Sequence, residues 1–165
     1  MLDLRTVLVV AFATASLQAV TWFFVWLAWR HLYQLKVLGT GFAAIALGLL
    51  MMMGRGEGPG AFAIVFHNMI IKLGLVLLAE GLARFLGQPR YTWIGVSMLV
   101  FQAVIWTVAV AVDPGNIAIR IHSSTFVTVV IMSVMCVGLL RDRTQPTLLR
   151  WITIAVLAEY MLASL

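Results

Sequence analysis

Lys72 stands inside an uninterrupted apolar run, with the pair His67-Asn68 about one turn before it and Glu80 two turns after it. Between the two charges lie Leu73, Gly74, Leu75, Val76, Leu77, Leu78 and Ala79, which leave no polar stripe at helical spacing, so this is not a surface helix of a soluble protein. Ionisable groups in such a setting pair with one another, line a proton or ion path, or recognise a ligand. Two further polar residues are embedded in the same way, Gln18 and Glu159. Metal chemistry has no support, because His31, His67 and His122 are scattered over three segments at no ligand spacing. No nucleophile elbow, phosphate loop or dinucleotide-binding glycine pattern occurs, so no catalytic, cofactor-binding or metal-binding residue is assigned and no enzyme activity is expected of the chain.

The medium around these residues is set by composition. Of 165 residues 63% are hydrophobic and 10% charged, at a mean hydropathy of +1.06, whereas soluble domains carry charge on about a quarter of their residues. This is an integral membrane protein. The net charge of +5 and pI near 10.2 would suggest nucleic acid in a soluble chain. Here the basic residues flank apolar runs, where they set topology and meet lipid phosphates, so no nucleic-acid partner is expected. The single cysteine, Cys136, excludes an internal disulfide.

Six apolar segments follow along the chain, about 7–29, 37–53, 61–83, 91–112, 121–140 and 148–165. A span needs ~20 residues, with a range of about 17–25, so the expected fold is an all-α bundle of six transmembrane helices forming a single domain. Pro59, Pro89, Pro114 and Pro146 all fall between the segments, where a missing N–H does least harm. Arg5 followed by apolar residues imitates a secretory signal, but the run continues through Phe23, Phe24, Val25 and Leu27 to Arg30, the flank of a retained helix.

Arg30, Lys36, Arg84, Arg90, Arg141, Arg143 and Arg150 lie on one side, against Arg5, Arg55 and Arg120 on the other. The excess marks the cytoplasmic side and places the N-terminus outside. Lys72 is then eleven residues into span three, about 16 Å deep in a core of about 30 Å. Glu159 and Gln18 are each eleven residues into their own spans. Matched depth and opposite charge predict that Lys72 pairs with Glu159, with Asn68 and Gln18 completing the hydrogen bonds. The alternative is separate satisfaction by backbone carbonyls, water or a neighbouring subunit. Glu80 precedes Arg84 by four residues and is expected to form a local ion pair. His67, Gly74 and Gly81 share a face, and span two carries Gly39, Ala43 and Gly48, so both helices offer small-residue packing surfaces. Trp22, Trp26 and Trp29 form a stripe suited to packing or an interfacial belt.

The strings "LDLRT" (2–6), "GLLMMMGRGEGPGAFAIVFHNMIIKLGLVLLAEGLARFLGQPR" (48–90) and "DPGNIAIRI" (113–121) resemble the N-terminal membrane region found ahead of GGDEF domains in proteobacterial diguanylate cyclases. The resemblance covers nearly all of the chain, and "EGLARFLGQPR" is its most telling piece; Lys72 departs from the apolar residue expected there. It implies a sensory and anchoring module of the bacterial inner membrane, controlling in cis a cytoplasmic GGDEF domain that makes cyclic di-GMP from two GTP. No Gly-Gly-Asp/Glu-Glu-Phe string occurs in these 165 residues. Six spans from an external N-terminus also leave the C-terminus outside, so a member of this topology needs a seventh span beyond Leu165. The resemblance further implies a homodimer, for which the Gly39/Ala43 or Gly74/Gly81 faces are the expected contact. A small ligand would enter from the outer side near His67 and Asn68 or near the connection holding Asp113, Arg120 and His122. Two other classes stay open: a small transporter or channel using Lys72, Glu159 and Asn68 as a polar path, and a scaffold or oligomerisation module needing only the small-residue faces.

Overall fold

The computed structural model describes residues 3–54, 60–88, 91–113, 115–141 and 147–163. The expectations placed on Arg55, Arg90, Arg143, the four prolines and most of the 54–60 connection lie outside these residues. Within them the chain is all helical, with α1 (Leu4–Ala28), α2 (Tyr33–Met53), α3 (Ala61–Phe85), α4 (Thr92–Val112), α5 (Ile117–Arg141) and α6 (Thr147–Ala163). Helices α1 to α5 are each long and apolar enough to cross a membrane, which makes this a multi-pass membrane protein. The sixth helix has 17 residues, about 25 Å at 1.5 Å per residue against a core of about 30 Å.

Two helices begin a turn before their apolar run. α2 starts at Tyr33 and α5 at Ile117, because hydropathy marks where lipid begins and not where helical hydrogen bonding begins. The early turn of α2 is held by its own chemistry: the Lys36 ammonium lies 5.2 Å from the Trp26 ring centre and 5.9 Å from that of Tyr33, a cation–π arrangement that ties α2 to α1. The end of α3 explains the Arg-Phe-Leu-Gly string. Gly87 takes φ +62°, its N–H bonds to the Arg84 carbonyl at 3.2 Å, and the Gln88 N–H reaches back to the Ala83 carbonyl at 2.9 Å. This is a Schellman ending, for which glycine is preferred because it carries no Cβ in the left-handed region.

Helix α3 is the centre of the bundle, touching α2, α4 and α5, whereas among the described residues α1 packs on α2 alone and α6 on α5 alone. The α2–α3 seam is made by interlocked glycines. A Cβ on Gly41 would stand 3.0 Å from the Gly74 carbonyl oxygen, one on Gly48 2.9 Å from the His67 carbonyl oxygen, and one on Gly81 3.2 Å from the Leu38 nitrogen. Rising numbers in α2 meet falling numbers in α3, so the two run antiparallel. Gly39 faces the Phe23 ring of α1 at 3.4 Å. The packing glycines are therefore correctly recognised, but their partner is this same chain. The expectation that Gly39/Ala43 or Gly74/Gly81 form a dimer face is corrected, since those glycines are already covered by α1, α2 and α3. On the other flank of α3, Leu75, Val76, Val127, Ile131 and Met132 form the apolar core, to which Leu157 of α6 adds.

Candidate functional site: a polar crevice between α3, α4 and α5

At the end of the bundle where α3 and α5 begin, an open crevice of about 360 Å³ lies among α3, α4 and α5 and is closed on one side by Met52 of α2. Its polar lining comes from His67, Asn68, Arg120, Ser124 and Thr125, and its apolar walls from Ile64, Trp106, Ile117 and Ile121. That volume falls in the ordinary range of small-molecule sites, about 300–1,000 Å³.

Two of the polar lining side chains, His67 and Asn68, are locally fixed. Asn68 donates through Nδ2 to the Ile64 carbonyl at 2.8 Å and to His67 Nε2 at 2.8 Å. With Nε2 accepting, His67 Nδ1 carries the proton and donates to the Ala63 carbonyl one turn earlier. The imidazole is 2% exposed and oriented by two contacts, as a packing histidine should be. Opposite, the Trp106 indole N–H donates to Ser123 Oγ at 3.0 Å, and that hydroxyl donates to the Arg120 carbonyl at 3.2 Å. This chain fixes the α4–α5 register at the level of the crevice.

Lys72 lies beneath this floor. Its side chain is buried, 7% exposed, and its ammonium donates to the Ser124 carbonyl at 3.1 Å and to Thr128 Oγ1. Ser124 thus lines the crevice with one part and holds the ammonium with another. The expected ion pair with Glu159 does not form, because Lys72 turns to α5, whereas Glu159 is exposed on α6, a helix that packs only on α5. Matched depth along the sequence carries no information about which helices are neighbours. Gln18 fails as a partner for the same reason, being exposed on α1, and Asn68 spends its amide on His67 and Ile64. The alternative of separate satisfaction, by a backbone carbonyl and a hydroxyl, is what the structure adopts for Lys72.

Of the residues expected at the ligand entrance, His67, Asn68 and Arg120 come together. Asp113 instead rims a separate apolar groove between α4 and α5, its Oδ1 accepting the Gly115 N–H at 3.2 Å, and His122 is exposed away from the crevice lining. The Glu80–Arg84 pair forms as expected, Arg84 Nε donating to Oε1 at 2.8 Å. Its second oxygen accepts the Thr92 hydroxyl at 2.8 Å, so a local pair also fastens α3 to the start of α4. This explains why Glu80 is buried, 6% exposed, and it keeps that carboxylate far from Lys72.

Sequence reasoning missed Trp106, Ser123, Ser124, Thr125, Thr128 and Gln102. The hydroxyl cluster Ser123-Ser124-Thr125 with Thr128 one turn on is a legible signal in a membrane helix, where such side chains join helices. Gln102 is fully buried, 0% exposed, and neither its amide nitrogen nor its amide oxygen has a hydrogen-bond partner among the described residues. It stands one turn below Trp106 on α4, and the Trp106–Ser123 contact and the Gly95–Val76 contact put it level with Val127 of α5 and Met69 of α3. An unsatisfied buried amide costs about 1–3 kcal/mol. Gln102→Leu is therefore expected to stabilise the fold by about 1 kcal/mol, read as a raised midpoint in denaturant melts; a lowered midpoint would show that the amide is satisfied by bound water or ligand.

No known protein-family model, curated protein or solved structure matches this chain.

Proposed function

We propose that this chain is a membrane-embedded sensory and anchoring module whose input site is the α3–α4–α5 crevice. The observation that carries the proposal is the crevice itself, a ligand-sized opening lined by five polar side chains at one end of a largely apolar bundle. In the proposed topology six spans cross the bacterial inner membrane from an external N-terminus, which opens the crevice to the outer side. Support for that orientation is the excess of Lys and Arg at the opposite end. The resemblance to membrane regions ahead of GGDEF domains supplies the proposed output, a cytoplasmic diguanylate cyclase controlled in cis as a homodimer. For the dimer the support is Gln18, which α1 presents on its open face, since an amide at mid-membrane depth is stabilised by bonding across two copies. A ligand would act by binding two arrangements of the bundle with different affinity.

The test uses the chain in proteoliposomes, titrated with sets of amino acids, organic acids, amines and neutral polyols while tryptophan fluorescence is followed. A saturable change abolished by Trp106→Phe, without accumulation of the labelled compound inside, supports a sensor. Saturable accumulation makes it a transporter, and no response to any set leaves a scaffold. In a Cys136→Ala background, Thr125→Cys should react with an impermeant maleimide from the outer face of cells; labelling only from the inner face overturns the orientation.

A further inference from the structure

We propose that the ligand of this crevice is a small amphiphilic anion, an anionic head on a short apolar body, with the head directed to the Lys72 ammonium through the Ser124–Thr128 side of the floor. The inference rests on the sensory reading above and names the class of ligand it takes. Lys72 is buried about midway along α3, a depth at which a cation costs at least ~2.5–3.5 kcal/mol on insertion scales. The partners given to it are neutral, one carbonyl and one hydroxyl, and an ammonium has three N–H groups to donate. Among the described residues the carboxylates are placed elsewhere: Glu80 is taken by Arg84 and Thr92, Glu159 is exposed on α6, Asp113 is exposed at the end of α4, and Asp3 is exposed ahead of α1.

The crevice above holds no Asp or Glu among the described residues that line it. The Ser124 hydroxyl, which lines the crevice, is a group that hydrogen-bonds an oxyanion. A buried ammonium met by neutral groups beside such a lining selects an anion, because a cationic or neutral ligand would leave the Lys72 charge unanswered. The remaining walls, Ile64, Trp106, Ile117 and Ile121, need an apolar body to cover them. Such a ligand reaches the crevice either as a free short-chain carboxylate from water or as an anionic lipid entering from the bilayer.

The experiment uses the chain in nanodiscs of zwitterionic lipid, titrated with hexanoate, 1-hexanol and inorganic phosphate, with affinity read from the thermal midpoint as a function of ligand concentration. Hexanoate should bind about tenfold more tightly than hexanol, the ordinary contribution of one charge-assisted hydrogen bond, and more tightly than phosphate, which lacks the body. Lys72→Met should remove the difference between hexanoate and hexanol, and Lys72→Arg should keep it. Replacing part of the lipid by phosphatidylglycerol tells the source: competition with hexanoate makes the lipid a ligand, and its absence makes the free carboxylate the ligand. Equal affinity for hexanoate and hexanol, phosphate binding as tightly as hexanoate, or an unchanged preference in Lys72→Met overturns the proposal. The comparison within the wild type decides the matter even if Lys72→Met does not fold. A saturable amine or polyol in the fluorescence titration would overturn the anion and leave the sensor standing, whereas no saturable ligand of any class removes both.

Discussion

Gly74→Leu is expected to abolish the docking of α2 on α3 and with it the folded bundle. A Cβ alone at position 74 would lie 2.7 Å from the Gly41 carbonyl oxygen and 3.0 Å from the Ile45 nitrogen, both backbone atoms of a helix that is itself locked in place by Gly48 and Gly81. Overpacking ordinarily costs about 1–3 kcal/mol because side chains give way; here the obstacle is main chain, so the loss should exceed ~3 kcal/mol. Gly138→Ala is the control, since no atom lies within 4 Å of its added methyl group, and should change stability by less than ~0.5 kcal/mol. Both are read by denaturant melts in bicelles at two protein-to-lipid ratios. The defect of Gly74→Leu should be the same at both ratios, because the contact is within one chain. A defect that grows on dilution would return this face to a dimer interface.

How far the sequence reaches is shown by the same helices. Membrane helices α1 to α5 are legible because lipid demands an almost unbroken apolar run, and their ends are displaced only where polar side chains belong to the helix, as with Lys36 in α2 and Arg120 in α5. Gly74 and Gly81 are legible as close-approach positions because only a missing Cβ permits it, yet nothing in one sequence says which helix approaches. The Glu80–Arg84 pair is legible because it is local, whereas its third member, Thr92, lies across a turn and needed the fold. The Lys72–Glu159 expectation failed for the complementary reason: depth is a one-dimensional coordinate, and pairing requires that α3 and α6 be neighbours, which α5 prevents. Gln18 and Gln102 look alike as single amides in apolar runs, but the first is exposed on a peripheral helix and the second sealed in the interior. Position within the bundle, which periodicity in an all-apolar helix does not encode, separates them.

Lys72→Met is expected to stabilise the fold while disabling the crevice. The sign follows from what is left behind. Removing the ammonium does not orphan its partners, because Thr128 Oγ1 already donates to the Ser124 carbonyl at 2.9 Å, and methionine replaces the stem with a flexible apolar chain of similar length. The burial cost of the cation disappears, so the gain should be ~1–3 kcal/mol, in keeping with exchanges of buried ionic groups for apolar ones. Had Lys72 been paired with Glu159, the same substitution would strand a carboxylate in the bilayer and destabilise by about 3–5 kcal/mol. The two cases differ in sign, and a single melt separates them. A double-mutant cycle with Glu159→Gln sharpens the result: side chains on helices that do not touch should give additive effects within ~0.5 kcal/mol, and a coupling of 1 kcal/mol or more would place the carboxylate beside the ammonium after all. A chain that carries a destabilising cation at this depth, next to a crevice with no carboxylate among its described lining, retains the charge at the expense of stability, the pattern expected where a buried group serves binding.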